Sequence, residues 1–309
     1  MHSTVLISGA SSGVGEAIAY ECVRRGAKRL FLGGRNVERL SAVAEKCREL
    51  AVHRVSSAGD AESFPLRSSA LAPTTGDAES FPLPVPPGCA VHTSIVDVTD
   101  ETATRVWVEN SNAVAPLDLV FANAGVATGV ETEANIRTTF ATNVGGVLNV
   151  SLPAIAAFRK NKESSNHNSS LFTLTSSLVL TASIAGYAPL PTCPSYSATK
   201  SCVKTWGLAM RGMLKNEGIN VSVLCPGFIR SRMTDVNTCP MPFFMEADKA
   251  ARIILDRVER NVGLIAFPWP MRFSVWMLSC LPARLTEFIA SLLPAKIKRQ
   301  GVVTDGKAK

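Results

Sequence analysis

The chain has 309 residues, 46% of them hydrophobic, which is enough to bury a sizeable core in one large α/β domain or two small ones. No stretch of 18 or more apolar residues lacks a charge or a helix breaker, so we expect no membrane-spanning helix. The net charge of +7 is most simply that of a solvated surface that also attracts an anionic cofactor, and we expect no nucleic-acid partner.

Short apolar strands alternate with helical segments along the chain. This alternation predicts an α/β fold with a doubly wound parallel sheet, in a single domain over residues 1–267. Apolar residues recur at helical spacing in Gly13–Arg25 and Ala250–Arg260. The predicted strands are Thr4–Ser8, Arg29–Gly33, Ala90–Val96, Leu117–Ala122, Leu178–Thr181, Asn220–Cys225 and Gly263–Ala266.

Two segments interrupt the alternation. Residues 56–88 are rich in Pro, Ser, Gly and Ala and contain one octapeptide twice, at 59–66 and 76–83. This composition predicts a disordered insertion between the second and third strands. The polar residues 161–170 predict a loop that lengthens the end of a helix.

Residues 268–309 predict a helical extension with a basic tail. Pro282 divides Arg272–Leu293 into two short amphipathic pieces. These pieces pack on the domain or cover substrate, form a partner surface, or make peripheral contact with a membrane, and we favour the first of these. The basic tail is compatible with an acidic membrane surface and equally with a frayed terminus.

The beginning of the sequence and its cysteines indicate a cytoplasmic protein. Met1 leads directly into a strand, without a basic segment followed by an apolar stretch and a cleavage site. The eight cysteines show neither CxxC spacing nor a histidine at metal-ligand spacing. We therefore expect reduced thiols and no metal site.

Three glycines, Gly9, Gly13 and Gly15, connect the first strand to the first helix. A pyrophosphate needs close approach to the backbone, and a helix N-terminus offers free N–H groups and a positive dipole end. The spacing differs from the G-x-G-x-x-G dinucleotide fingerprint, and a tight turn without a ligand is the alternative.

Tyr196 and Lys200 are four residues apart, so a helix places both side chains on one face. A free tyrosine has a pKa near 10, and a nearby ammonium or an oxidised nicotinamide ring lowers it. Such a phenol can give a proton to a carbonyl oxygen while a hydride reaches the carbon. Ser183 can donate a hydrogen bond to the same oxygen, with Ser177 as a rival.

These motifs, in this order, resemble the short-chain dehydrogenase/reductase family in its single-domain form, from about Thr4 to Thr234 and more loosely to Phe267. The resemblance implies a Rossmann fold, an NAD(P)-dependent oxidoreductase and a homodimer or homotetramer. The matching pieces are Ser8–Gly15, Asp97-Val98, Ala122–Gly125, Asn143, Ser183, Tyr196 with Lys200, and Pro226–Ser231.

The resemblance also implies individual roles. Asn143, Ser183, Tyr196 and Lys200 become the catalytic residues, with Asn143 holding a water that leads to Lys200. The alternative for Asn143 is a buried helix amide that binds backbone. The implied cofactor contacts are Gly9, Ser11, Ser12, Gly13, Val14, Gly15, Asp97, Val98, Asn123, Ala124, Gly125, Tyr196, Lys200, Pro226, Gly227, Ile229 and Ser231.

The end of the second strand indicates which cofactor is used. NAD-binding relatives place an acidic side chain there, about 20 residues after the glycine turn, to hold the ribose 2′-hydroxyl. This chain has Gly34 instead, followed by Arg35 and Asn36. A guanidinium without a neighbouring carboxylate favours a 2′-phosphate, so we predict NADP(H), with contacts from Arg35 and Asn36.

The segment after Ser231 is rich in methionine and phenylalanine, which predicts an apolar carbonyl or alcohol substrate such as a ketone, a steroid or a lipid-like compound. Ordinary lid packing is the alternative. Two other functions stay open. One is a catalytically inactive NADP(H)-binding scaffold or sensor, and the other is a nucleotide-sugar epimerase or dehydratase, for which the C-terminal segment is short.

Overall fold

The computed structural model describes residues 2–57, 88–166, 176–235 and 241–292. The repeated octapeptide and the last 17 residues lie outside these ranges. A π-helical turn, Ala141–Gly145, joins α4 to α5. The elements in chain order are β1 (Thr4–Ser8), α1 (Gly13–Arg24), β2 (Arg29–Gly34), α2 (Val37–Ser57), β3 (Ala90–Ile95), α3 (Glu101–Val114), β4 (Leu119–Ala122), α4 (Glu133–Phe140), α5 (Gly146–Asn166), β5 (Ser176–Thr181), α6 (Pro194–Leu214), β6 (Ile219–Pro226), α7 (Arg232–Asp235), α8 (Ala247–Glu259), β7 (Leu264–Phe267), α9 (Trp269–Ser279) and α10 (Ala283–Leu292).

The seven strands form one parallel sheet in the order β3-β2-β1-β4-β5-β6-β7. The predicted doubly wound sheet is confirmed, and every predicted strand ends within two residues of the observed one. The strand order reverses direction between β1 and β4. In open α/β sheets, ligands bind outside the carboxyl ends of the strands at such a switch point.

The strands are apolar on both faces because helices cover both faces of the sheet. In β1, Val5 and Ile7 point into one core, which α1, α2 and α8 complete. Leu6 points into the other core, which α3, α5 and α6 complete. The consecutive apolar residues of the central strands therefore follow from burial on both sides.

One helical run, Glu133–Ser164, is long and apolar enough to cross a membrane by length and composition alone. Its most apolar window is 56% buried within the domain, and α5 packs against α3, β4 and β5. The run is therefore accounted for as a core helix of the domain.

The loop predicted to begin at Asn161 is wrong in its first six residues, because α5 continues through Asn166. Tertiary contacts hold this end of the helix. The Asn161 amide donates to Asn112 Oδ1 over 2.8 Å, and Arg159 forms a salt bridge with Glu217, with N···O 2.6 Å. Residues 167–170 of the predicted loop lie outside the described ranges.

The C-terminal segment contains two helices, α9 and α10, with Pro282 between them. The inner side of α9 bears Met271 and Val275, which pack against the core that includes α5 and α6. The helix also lies beside β7 and the 3₁₀ turn Ile184–Gly186. A domain boundary at residue 267 stays a prediction.

Candidate active site

The loops that follow β1 and β4 are tied together at the switch point. The Ser8 hydroxyl accepts hydrogen bonds from the backbone N–H groups of Asn123 (2.9 Å) and Ala124 (3.2 Å). The Asn123 side chain donates to the Ser8 carbonyl over 3.2 Å and accepts from the Thr181 hydroxyl. Asn123 therefore fixes the spacing of three strand ends around one cleft.

The glycine turn has a backbone that other residues would strain. Gly9 and Gly13 have φ angles of +67° and +62°, and a Cβ on Gly13 would lie 2.9 Å from Ser231 Cβ. The N-cap residue of α1, Ser12, makes no side-chain capping bond to the first turn. Helix N–H groups without a side-chain cap, beside a turn with glycine at positions 9 and 13, fit a cofactor pyrophosphate.

The neighbouring residues of the glycine turn also fit the close approach of a pyrophosphate to the backbone. Gly15 is buried, and its Cα lies so close to the Gly9 carbonyl that no Cβ fits. Val14 packs partly against the core beneath α1. Ser11 lies beside the end of β2, because a Cβ on Gly34 would be 3.3 Å from Ser11 Oγ.

At the end of β2, the exposed Arg35 pairs with Asp97, with Nη1 to Oδ2 at 3.5 Å. Although partial burial opposes it, hydrogen bonds from Thr99 and Arg35 hold the pKa of Asp97 below its usual value. The Asn36 side chain accepts from the Arg39 N–H over 2.8 Å and so caps the start of α2. Arg35 and Asp97 therefore lie together where the adenosine half of a dinucleotide is expected.

Val98 is a predicted cofactor contact whose side chain lies in the core, so a contact through its backbone stays a prediction. Its side chain is buried in the core against Gly146, and its carbonyl accepts from the Asn149 amide over 2.8 Å. At the cleft, Val98 therefore contributes only backbone atoms.

Ser183 and Tyr196 are brought together at the carboxyl edge of the sheet. Ser183 follows β5, and Tyr196 lies in the first turn of α6, which begins at Pro194. The Tyr196 hydroxyl forms a hydrogen bond with Ser183. Ser183 Oγ also accepts from the Ala185 N–H (3.1 Å) and lies 3.5 Å from the Pro226 carbonyl.

The rival serine lies at the opposite end of the same strand. Ser177 is the second residue of β5, where it pairs with Leu119 at the beginning of β4. At the carboxyl end of β5, beside Tyr196, the side-chain hydroxyls are therefore those of Thr181 and Ser183. The geometry favours Ser183 over Ser177.

Lys200 is buried one helical turn after Tyr196. Its ammonium donates to the Thr181 carbonyl over 2.9 Å and lies 5.6 Å from the Tyr196 ring centroid. Burial lowers the pKa of Lys200 to about 8. Lys200 therefore titrates near physiological pH.

The expected net lowering of the Tyr196 pKa is wrong for the protein's own groups. Burial raises the pKa of Tyr196 to about 12 and outweighs the hydrogen bond with Ser183, which lowers it. The same burial destabilises the charged form of Lys200. Its amine therefore loses its proton, and with it the positive charge, at alkaline pH. The phenol is protonated at neutral pH.

Asn143 lies in the π-helical turn between α4 and α5, a type of irregularity often found at functional sites. Its amide donates to the Val126 carbonyl (2.9 Å) and accepts from the Val126 N–H (2.8 Å). It also donates to Thr199 Oγ1 over 3.2 Å. The alternative of an amide that binds backbone is therefore observed, and the water relay stays a prediction.

The Pro226–Ser231 turn forms the far wall of the cleft. The Gly227 N–H donates to the Phe267 carbonyl over 2.8 Å. Ile229 is buried in the core. The Ser231 N–H donates to Thr234 Oγ1 over 2.9 Å. The turn therefore brings Ser231 to the glycine turn and the Pro226 carbonyl to Ser183.

Two structural features of the site lacked a sequence signal. Glu131 accepts from the Ser195 N–H over 3.1 Å and from the Ser195 hydroxyl, so it holds the start of α6. Met271 of α9 reaches Gly227, where a Cβ would lie 3.0 Å from Met271 Sδ. Both contacts join segments distant in sequence, and no local motif announces them.

The sequence profile of the family described as short chain dehydrogenase matches residues 3–70 and 87–239. The chain belongs to this family. An uncharacterized oxidoreductase of Myxococcus xanthus is 30% identical over 302 residues, which cover 94% of this chain and 98% of that protein. The chain is accordingly an oxidoreductase of the short-chain dehydrogenase kind.

Two further relatives have named activities. A serine 3-dehydrogenase of Agrobacterium fabrum is 26% identical and the match covers 77% of this chain and 76% of that protein. The 17-beta-hydroxysteroid dehydrogenase 13 of Rattus norvegicus is 24% identical over 93% of this chain and 81% of that protein. The substrates in these two names differ in polarity, because serine is polar and a hydroxysteroid is largely apolar.

Solved structures share the fold. A short-chain dehydrogenase from Sphingobium yanoikuyae in complex with NADPH superposes with a TM-score of 0.66 at 21% identity, covering 97% of this chain and 98% of that one. A 3-ketoacyl-(acyl-carrier-protein) reductase from Brucella melitensis complexed with NADH gives 0.64 at 19% identity, covering 85% and 96%. These likenesses show the fold alone.

Proposed function

We propose that this oxidoreductase transfers a hydride between NADP(H) and the carbonyl or secondary alcohol carbon of an apolar substrate. The observation that supports it best is the contact of the Tyr196 hydroxyl with Ser183, one helical turn from buried Lys200. All three groups lie at the carboxyl edge of the sheet, on the side of the glycine turn.

When bound, the nicotinamide supplies or accepts the hydride. In the reductive direction, Tyr196 donates its proton to the carbonyl oxygen as negative charge develops there, and Ser183 donates a hydrogen bond to the same oxygen. Lys200 stabilises the phenolate that remains, because its ammonium lies beside the ring. The Thr181 carbonyl keeps Lys200 in place. The oxidative direction reverses each step.

The preference for NADP(H) is supported by charge at the end of β2. Gly34 places no carboxylate at the ribose, and the Arg35 guanidinium is 63% exposed and able to turn toward a phosphate. Among the described residues, the acid paired with it is Asp97, at a weak 3.5 Å. A doubly charged 2′-phosphate is a stronger partner for a guanidinium than one solvated carboxylate. Ser11, beside Gly34, offers a further hydroxyl.

An apolar substrate is supported by the residues that flank Ser183. Ile184, Pro268 and Met271 surround Gly227, each within 3.5 Å of a Cβ built on it. These three side chains are apolar, and a methionine can adapt to irregular apolar shapes. A polar amino-acid substrate would leave its charges unpaired against such a wall.

The experiment is a panel of carbonyl compounds, from steroids and fatty-acyl ketones to aldehydes and quinones, followed by NADPH absorbance. Tyr196→Phe removes only the proton donor, and Tyr20→Phe is the matched control, because Tyr20 bonds Glu16 on α1. We expect turnover to be lost in Tyr196→Phe and kept in Tyr20→Phe. Tight NADPH binding without turnover on any compound would favour the inactive scaffold or sensor instead.

The oligomer and the compartment are part of the same proposal. The proposed compartment is the cytoplasm, and the proposed oligomer is a homodimer or homotetramer. Exposed apolar side chains on the outer sides of α5 and α6 support the oligomer: Leu152 (50% exposed), Leu208 (38%) and Met213 (61%). Sedimentation velocity tests it, and Leu152→Glu should release monomers. A wild-type monomer at micromolar concentration would contradict it.

A further inference from the structure

The helices α9 and α10 expose an unusual set of large apolar side chains. We define the outer apolar face as the following residues, with their exposed fractions: Trp269 (75%), Phe273 (54%), Trp276 (48%), Met277 (44%) and Leu285 (43%). A soluble monomer rarely exposes so many large apolar groups side by side. The Phe273 and Trp276 rings lie 6.0 Å apart, so at least this pair forms a contiguous surface.

The opposite side of α9 is already occupied. Met271 and Val275 pack on the domain core, while Phe273 and Trp276 project outward from the same helix. The outer apolar face is therefore not the packing face of the helix, and what covers it comes from outside the described part of the chain.

The chemistry of the covering surface is indicated by charge and by residue type. Residues 269–309 contain seven basic residues against two acidic ones, Glu287 and Asp305. Two of the basic residues, Arg272 and Arg284, are exposed on α9 and α10 themselves. Tryptophan and phenylalanine on a helix with flanking basic residues are typical of helices that lie in a lipid headgroup layer.

A second copy of the chain fits this surface less well. Two-fold pairing would bring two segments of the same positive charge together, at a cost in free energy. An anionic lipid surface instead neutralises the basic residues while the aromatic rings enter the acyl boundary. We propose that the outer apolar face docks α9 and α10 onto an anionic lipid membrane.

Docking would also place the site beside the lipid. The inner residue Met271 contacts Gly227, whose neighbour Pro226 offers its carbonyl to Ser183. Helix α9 therefore contacts the wall of the site through Met271 and carries the membrane-facing rings of Phe273 and Trp276 on its other side. Resting on the proposed function, this arrangement suits a carbonyl substrate that dissolves in lipid.

The test is co-sedimentation of the full chain with vesicles of phosphatidylcholine alone, or with about a third of phosphatidylserine. We expect binding to the anionic vesicles that weakens as salt rises, with a blue shift of tryptophan emission. The variant Trp269→Ser/Phe273→Ser/Trp276→Ser should bind at least about tenfold less, because it lacks three apolar groups that the lipid would bury. All three positions are exposed, so its melting temperature should change little.

The matched control is Val37→Ser/Val52→Ser, which removes exposed apolar groups from α2 instead and should bind as the wild type does. Absence of wild-type binding to both vesicles would overturn the proposal, as would equal binding by the triple variant. A dimer that only the triple variant loses would show that a second copy covers the face. The assay needs no turnover, so Tyr196→Phe should still bind, and a failure of the proposed function stays distinguishable.

Discussion

Lys200 Nζ and Asn143 Oδ1 converge on the same side of Gly125, where an added Cβ would lie 3.2 Å from each of them. Both groups are held by other bonds, Lys200 to the Thr181 carbonyl and Asn143 to the Val126 backbone. Neither can retreat without breaking one of these bonds. Gly125 is therefore the spacer that sets the position of the lysine under Tyr196.

Substituting this spacer gives the first prediction. Gly125→Ala should lower kcat about tenfold or more while the protein stays folded, because the methyl group displaces a group whose position matters to a fraction of an ångström. Steady-state kinetics and a melting curve measure the two effects. Gly145→Ala is the control, since a Cβ there meets nothing within 4 Å. Equal kinetics for both variants would remove Gly125 from this role.

The second prediction concerns the cofactor. Arg35→Ala should weaken NADPH binding by about 10- to 100-fold, the loss of charge-assisted hydrogen bonds to a phosphate, and leave NADH binding nearly unchanged. Fluorescence titration gives both dissociation constants. Arg105→Ala, an exposed arginine paired with Glu101, is the control. If wild-type protein binds NADH more tightly than NADPH, the choice of NADP(H) is wrong.

The third prediction is a pH profile. Since the pKa of Lys200 is lowered to about 8 and that of Tyr196 is raised to about 12, Lys200 loses its charge first as pH rises. The proton donor is then a weaker acid, so reductive kcat/KM should be highest below pH 8 and fall as pH rises through about 8. Lys200→Arg keeps its charge and should move this fall to higher pH. A wild-type profile without a fall between pH 6 and 10 would count against Lys200.

The fourth prediction concerns the start of α6. Glu131→Ala should lower the free energy of unfolding by about 1 kcal/mol. The carboxylate accepts hydrogen bonds from the Ser195 N–H and hydroxyl, and its negative charge interacts favourably with the positive N-terminal end of α6. Urea unfolding measures it. Glu133→Ala is the control, because Glu133 pairs only with the exposed Arg137. A loss no larger than that of the control would show that the cap adds nothing.

Local pattern was sufficient for much of this fold. The strands and the glycine turn were predictable because burial on both faces and a tight strand–helix turn each need a particular kind of residue over a few positions. The helical spacing of Tyr196 and Lys200 likewise placed both on one side of α6.

Contacts between distant segments could not be predicted in this way. The continuation of α5 through Asn166 depends on Asn112, and the cap of α6 depends on Glu131, 64 residues before Ser195. The pKa of Tyr196 depends on how deeply the folded chain buries it, which a four-residue spacing does not contain. The same spacing suggested a lowered pKa, whereas burial raises it.

The central claim is that hydride passes between the nicotinamide and a substrate carbon while Tyr196 supplies the proton. The most direct measurement uses NADPH deuterated at nicotinamide C4 and a carbonyl compound from the panel that the enzyme reduces. The alcohol product is then examined by mass spectrometry. We expect one deuterium on the carbinol carbon with the wild-type protein and no labelled alcohol with Tyr196→Phe. Alcohol without deuterium from either C4 position, or labelled alcohol formed equally by Tyr196→Phe, would contradict the account.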